Sequence, residues 1–255
     1  MAVTSEAPEV LAGLERLFAE MLVPTARSMA GELEVDRAAG QYRVRGNATV
    51  DLEDGSLADV LRCLRFSVIQ ILIQARPDLL WLHAGATALG GRAVLLPGPR
   101  GHGKSTLVAG LNARGWAYLS DDIVPLDLES GAIIPFPQSP AIREYPGEQM
   151  PDEWLRLPSK VDVALAAVCR EPVNASAVVF PAYRPGTAAE LVHCPPATAA
   201  VELLQHCWNF SDHGEGAVRY LCGLVQRLPT FRLSFSDGGA AAEQVARRLA
   251  GWRRT

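Results

Sequence analysis

Residues 93–106 read Ala93-Val94-Leu95-Leu96-Pro97-Gly98-Pro99-Arg100-Gly101-His102-Gly103-Lys104-Ser105-Thr106. An apolar run suited to a buried strand passes into a glycine-rich loop, and the loop opens a segment with helical spacing. Within it, Gly98-Pro99-Arg100-Gly101-His102-Gly103-Lys104-Ser105 matches G-x-x-x-x-G-K-[ST] at every fixed position, in the strand–loop–helix context that gives this phosphate-binding motif its meaning. Gly98, Gly101 and Gly103 let the backbone curve into a concave row of N–H groups, because a Cβ there would block the turn or the phosphate. The helix beginning at Lys104 aims its positive end at the same place. Lys104 is then the point charge for the β- and γ-phosphates, and Ser105, followed by Thr106, the ligand for Mg²⁺. The chain has only two lysines, Lys104 and Lys160, against 22 arginines. A chance lysine at this position with both required glycines is an event on the order of one in a thousand.

Working outward, Leu107, Val108 and Leu111 give a helix over Lys104–Arg114 one apolar face, and Gly115 stops it. A strand at Trp116–Leu119 follows and runs into Asp121-Asp122. A right-handed crossover through the helix returns this strand parallel to Ala93–Leu96, so the acid pair reaches the same edge as the loop. One carboxylate suits a Mg²⁺ ion and the other suits accepting a proton from an attacking hydroxyl, while an acidic turn after a strand is the plainer alternative. His83, in Trp81-Leu82-His83-Ala84-Gly85-Ala86, falls on the strand before the loop strand. Its small neighbours allow close approach, and the residues alone fit a core histidine as well as a site histidine.

Three zones emerge. Residues 1–78 form a small α+β unit: a helical stripe from Val10 to Leu22, strands at Glu32–Asp36 and Tyr42–Arg45, and a second helical stripe from Leu57 to Leu72. Residues 79–255 form the catalytic domain. In it, apolar runs Leu80–Leu89 and Ala93–Leu96 precede and enter the loop, and Ile123–Leu126 and Ile133–Phe136 follow the acid pair. The segment Pro135–Pro158 is expected to be irregular and mobile over the site. Beyond it come a strand at Ala177–Phe180, helices at Thr198–Trp208 and Glu215–Arg227, a strand at Thr230–Ser234 and a closing helix Ala240–Trp252. The fold class expected is α/β, a mixed sheet with helices, preceded by the α+β unit.

Composition narrows the function classes. A net charge of −4 lacks the basic footprint of a nucleic-acid binder. The richest apolar stretch, Phe66–Ile73, is too short to cross a bilayer. The first residues carry no secretory pattern, and five cysteines form no C-x-x-C pair, so a cytoplasmic protein with reduced thiols is expected. His193, Cys194, His206, Cys207, His213 and Cys222 are zinc-ligand types at spacings that match no zinc pattern. Arg184 and Arg227 are candidate clamps for a phosphate or a peptide carboxylate, with solvated arginine the simpler reading.

The run from Leu82 to Asp127 resembles the catalytic core of HPr kinase/phosphorylase and of the smaller HPr-kinase-related proteins encoded near peptide-modification genes. That resemblance covers about residues 79–250, more weakly through Phe180-Pro181-Ala182-Tyr183-Arg184-Pro185-Gly186. It implies an HPr kinase/PEP carboxykinase type of catalytic fold, ATP and Mg²⁺ as cofactors handled by Lys104 and Ser105, and His83 assisting near the transferred phosphate. It further implies Asp122 as general base toward a serine hydroxyl and Asp121 near the metal. The family's metal-binding glutamate lies in a Glu-Ile-Arg-Gly segment that this chain lacks. Glu144, beside Arg143, is the nearest candidate, and the expectation of the reverse, dephosphorylating half-reaction lapses with that segment. The acceptor implied is a peptide or protein bearing serine, such as a lasso-type precursor peptide, and the family's habit of assembling implies a homo-oligomer. A kinase for free serine or a similar metabolite and a non-catalytic ATP-binding scaffold are the other function classes that these residues admit.

Overall fold

The computed structural model describes residues 2–22, 30–46, 52–143 and 160–251. The chain divides into two compact units, Met1–Asp78 and Leu79–Thr255.

In the first unit, β1 (Ala2–Ser5), α1 (Pro8–Leu17) and a 3₁₀ turn (Ala19–Met21) precede β2 (Glu32–Ala38), β3 (Gln41–Gly46), β4 (Leu52–Gly55) and α2 (Leu57–Ala75). The sheet order is β1-β2-β3-β4, with β1 parallel to β2 and the rest antiparallel. Leu33, Val35, Tyr42 and Val44 are buried with Val10, Leu14, Val60, Leu64 and Val68 of the helices. Glu32 and Glu34, between the buried strand residues, stay exposed, the alternation of a sheet covered on one face. A capping box starts α2: Ser56 Oγ accepts from Asp59 N–H at 3.3 Å while Asp59 Oδ2 accepts from Ser56 N–H at 3.0 Å.

In the second unit come β5 (Leu79–Leu82), β6 (Ala84–Leu89), β7 (Arg92–Pro97), α3 (Lys104–Asn112), β8 (Ala117–Ser120), β9 (Val124–Asp127) and β10 (Ala132–Ile133). They are followed by β11 (Ala141–Arg143), β12 (Lys160–Asp162), β13 (Val173–Tyr183) and β14 (Glu190–His193). The chain continues through α4 (Pro196–Gln205), α5 (Phe210–His213), α6 (Glu215–Arg227), β15 (Thr230–Phe235) and α7 (Gly238–Arg248). Nine strands make one mixed sheet in which β13 is the hinge piece: its start pairs with β10, its middle with β7 and its end with β15. Around the loop strand the order is β14-β15-β13-β7-β6-β8.

Both faces of this region are covered. Ala93 and Leu95 of β7 pack with α4 and α6, whereas Val94 and Leu96 pack with α3 and α7. A strand buried on both faces reads as an unbroken apolar run, which is why 93–96 shows no polar alternation. The crossover from β7 through α3 to β8 does not make neighbours of those strands. β6 lies between them, antiparallel to each, so β7 and β8 run the same way two places apart.

The structure corrects several sequence expectations. The run Leu80–Leu89 is two strands with different partners, β5 on β9 and β6 on β7 and β8, and His83 sits in the break. The helix expected to end at Arg114 ends at Asn112, with Gly115 at φ +85° in the turn beyond. The helix expected over Thr198–Trp208 ends at Gln205, because 206–209 leaves it to bond with β5. In the Pro135–Pro158 segment, Phe136 bridges Ser120, Gln138 is buried, and Ala141–Arg143 pairs with Lys160–Asp162. Residues 144–158 of it lie outside the described residues. No helix among the described residues is long and apolar enough to cross a membrane.

Candidate active site

The carboxyl ends of β7, β8, β13 and β15 meet the start of β6 at one edge of the sheet, where crevices form in α/β folds. From Gly98 to Gly103 the loop crosses this edge before α3. Gly101 and Gly103 have φ of +88° and +85°, a left-handed conformation that side chains disfavour. Gly103 is doubly required, since a Cβ on it would lie 2.4 Å from Cζ of Phe235. Of the two grounds on which glycine is expected at these positions, the turn and the phosphate, Gly98 does not meet the first. Its φ is not positive, and a Cβ there would find no atom of the fold nearer than the Pro181 carbonyl oxygen at 3.7 Å.

Lys104, 5% exposed, turns back over the loop. Its Nζ donates to the carbonyls of Gly98 at 2.7 Å and Pro99 at 3.0 Å, and lies 3.0 Å from Nε2 of His83. The other ring nitrogen of His83, Nδ1, is 2.8 Å from the carbonyl oxygen of Asp122. An ammonium only donates and a carbonyl only accepts, so these two partners assign one tautomer: a neutral ring with its proton on Nδ1. Burial, and then the Lys104 charge, hold the His83 pKa below the usual histidine value, in agreement with the neutral ring. One imidazole thus ties the loop lysine to the acid-pair turn.

That turn is braced. Asp121 is 2% exposed, and its carbonyl accepts from Nε2 of Gln138 at 2.5 Å, while the Gln138 carbonyl accepts from Tyr118 Oη at 2.6 Å. The Ser120 hydroxyl bonds the Ile123 carbonyl across the same turn. Asp122 adopts φ +75°, a conformation that aspartate tolerates better than most residues. Its side chain is 42% exposed, with Oδ1 3.6 Å from His83 Nδ1. The two carboxylates of the pair are therefore unlike: one buried at the sheet, one open at the edge. Gly85 lets α3 approach the sheet beside this turn, since a Cβ on it would lie 2.6 Å from Val108 Cγ2.

A third strand-like segment completes the edge, and sequence reading missed it. His83 N–H donates to the His206 carbonyl at 2.7 Å, Trp208 N–H to the Trp81 carbonyl at 2.8 Å, and Leu82 bridges Cys207. Buried Asn209 accepts from Trp81 N–H and donates to the Leu79 carbonyl, each at 2.9 Å. This stitching lays the ring of Trp208 against His83, centroids 5.9 Å apart and planes at 24°, with Trp208 40% exposed. The His206 ring lies 6.3 Å from that of His83. Burial above all, and the nearby Lys104 charge, lower its pKa to about 4. Periodicity had absorbed Trp208 into a helix; the only sequence signal was a cluster of His206, Cys207, Trp208 and Asn209, polar and aromatic types unsuited to a helix interior.

Of the remaining candidates, Pro99, Arg100 and His102 are exposed in the loop, and Ser105 and Thr106 stand half-buried on the first turn of α3. Ser105 and Asp121, a hydroxyl and a carboxylate, are oxygen donors of the kind a hard cation takes. Glu144 lies outside the described residues. The zinc-type residues are dispersed: His193 ends β14, Cys194 is buried, and His213 Nε2 bonds the Leu79 carbonyl. Among the described residues no three histidine, cysteine or acidic side chains form a metal-holding group. Arg184 follows β13, close enough to His102 to affect its ring, whereas Arg227 folds along its own helix toward Gly223.

The chain is a mixed α/β protein whose glycine-rich loop and acid pair share one sheet edge. No family model matches it, and no curated protein matches it. Among solved structures, the Hpr(Ser) kinase/phosphatase from Coxiella burnetii is similar at a TM-score of 0.32 and 13% identity, covering 67% of this chain and 98% of that one. A likeness at that level leaves the functional reading to the geometry of the site.

Proposed function

We propose that this protein is an ATP-dependent kinase that transfers the γ-phosphate to a serine hydroxyl of a peptide or protein, with a ribosomally made, lasso-type precursor peptide as the acceptor class and the cytoplasm as its location. The observation that carries the reading is the single imidazole of His83 joining Lys104 of the glycine-rich loop to Asp122. A loop built to hold phosphates and an exposed carboxylate are thereby held within one side chain of each other, which is the juxtaposition phosphoryl transfer to an alcohol requires.

In this reading Lys104 exchanges its carbonyl partners for phosphate oxygens, and the N–H groups of the loop and of the first turn of α3 take the rest of the charge. The serine Oγ attacks the γ-phosphorus, the bond to the bridging oxygen of ADP breaks, and the hydroxyl proton passes to the Asp122 carboxylate. His83, neutral and fixed at both nitrogens, holds Lys104 and the Asp122 backbone in register. Mg²⁺, held by Ser105 and Asp121, would neutralise charge on the transferring group.

Incubation of the protein with Mg-ATP and a serine-containing precursor peptide should give a phosphate-sized mass gain on the peptide. Asp122→Asn should lower that rate by about 10²–10⁴-fold while Mg-ATP binding persists. Full activity in Asp122→Asn would overturn the base assignment. Phosphate on free serine alone would make this a small-molecule kinase. Tight nucleotide binding with no transfer, and partner binding indifferent to Asp121 and Asp122, would make it a scaffold.

A further inference from the structure

The loop edge has two unlike flanks. On the β6 and β8 side stand His83, Asp121 and Asp122. On the β13 and β15 side the described residues form an aromatic rim instead. The end of β13 lies beside the loop: a Cβ on Gly98 would meet the Pro181 carbonyl oxygen at 3.7 Å, and the His102 ring bonds the Pro181 backbone. Phe235, last residue of β15, fills the space that a side chain on Gly103 would need. Across the parallel β13–β15 pair, Tyr183 is the register partner of Phe235, and its ring meets that of Phe235 edge to face, centroids 6.0 Å apart at 79°. Tyr183 is 39% exposed although the four residues Val178–Pro181 before it on the same strand are buried.

Two further features shape this flank. Gly238, the first residue of α7, comes so near the first turn of α3 that a Cβ on it would lie 2.4 Å from Thr106 Cγ2, so the turn after β15 packs on the start of α3. Arg184, whose N–H donates to the Phe235 carbonyl at 2.8 Å, adds a cation to the rim, complementary to a polyphosphate. A nucleoside triphosphate has the same asymmetry as this edge: a reactive phosphate at one end, a flat aromatic base at the other, and negative charge between. With the γ-phosphate at His83 and Asp122, the base leaves the loop on the β13 side.

We propose that Tyr183 is the base platform of the nucleotide site, its exposed ring stacking on the base while the loop holds the phosphates. The proposal rests on the nucleotide reading of the loop and adds a subsite to it. Stacking of a base on an aromatic side chain is substantial and indifferent to the rest of the ligand, so it can be separated from phosphate binding by using a ligand that has phosphates and no base.

The experiment is calorimetric titration of the full chain with Mg-ATP and, separately, with Mg-tripolyphosphate. Wild type should bind ATP the more tightly. Tyr183→Ala should weaken ATP binding about tenfold and leave tripolyphosphate binding unchanged, and Tyr183→Phe should retain wild-type affinity for both. In Tyr183→Trp, ATP should quench fluorescence beyond the wild-type change, and tripolyphosphate should not; this variant keeps the aromatic ring and covers the case in which Tyr183→Ala fails to fold. Unchanged ATP affinity in Tyr183→Ala, or equal weakening toward both ligands, would overturn the proposal, the second outcome showing that Tyr183 only supports the loop through Phe235. If wild type binds tripolyphosphate and ATP equally, the base subsite fails alone; if it binds neither, the nucleotide reading fails with it.

Discussion

The indole of Trp208 lies nearly parallel to the imidazole of His83, the two ring centres 5.9 Å apart. His83 has partners at both nitrogens, and Trp208 covers one face, so three directions of motion are restrained at once. Trp208→Ala removes the face and leaves the nitrogens. The expected result is a transfer rate lower by about tenfold, equivalent to about 1.4 kcal/mol of barrier, with Mg-ATP affinity within twofold of wild type, measured by steady-state kinetics beside calorimetry. A loss of ATP affinity instead would show that the indole supports the loop rather than the imidazole.

Two glycines of one loop should behave differently. Gly103→Ala must accommodate both a left-handed backbone and the Phe235 ring at 2.4 Å, and should destabilise the protein by about 3 kcal/mol in urea unfolding. Gly98→Ala meets only ordinary contacts and should unfold within about 0.5 kcal/mol of wild type, yet, on the proposed nucleotide reading, bind Mg-tripolyphosphate at least tenfold more weakly because the added methyl would stand in the phosphate's approach. Equal stability losses in the two variants would contradict the geometry.

Acid should weaken the fold through His206 and His83. Both rings have pKa values lowered by burial, His206 to about 4, so the unfolded chain takes up protons that the native chain resists. Stability therefore rises with pH between about 4 and the unfolded histidine value of about 6.5, and falls on acidification through that window. His206→Asn should flatten the profile by about 1–2 kcal/mol between pH 6.5 and 4.5, solvent screening of a partly exposed ring keeping the effect below the full shift. The check is chemical denaturation at a series of pH values; an unchanged slope would remove His206 from the account.

Asn209→Ala cuts the stitch that holds the 206–209 segment to β5. It removes the side-chain acceptor of the buried Trp81 N–H and one donor from the Leu79 carbonyl, which His213 also serves. A loss of about 2–3 kcal/mol is expected in thermal or urea unfolding. A loss below about 0.5 kcal/mol would show that the backbone bonds of His83 and Trp208 hold the segment unaided.

What could be read in advance was local. The loop announces itself because its backbone needs glycine at Gly101 and Gly103 and its charge needs a slim lysine, and both demands act within eight residues. The acid pair was legible for a related reason, since one crossover carries it to the loop edge whatever strand lies between. The break at His83 was not legible, because Leu80–Leu89 is apolar or small apart from the imidazole itself, and a lone histidine does not mark a change of partner strand. Trp208 was hidden more deeply: its place depends on its own bond to the Trp81 carbonyl and on the bond of Trp81 N–H to Asn209, 128 residues away, and helical periodicity reads only its neighbours. Tyr183 and Phe235 likewise meet only through the parallel pairing of β13 with β15.

The stitching of 206–209 to β5 also bears on when the protein becomes competent. His83, Lys104 and Asp122 emerge early in synthesis, but the indole beside them arrives more than a hundred residues after His83, by a pairing of large sequence separation. Such closures form slowly and late, once the chain between has condensed. A nascent chain that has already made its loop and acid pair thus lacks one wall of the candidate site, and that wall is added only as the second unit's core is completed.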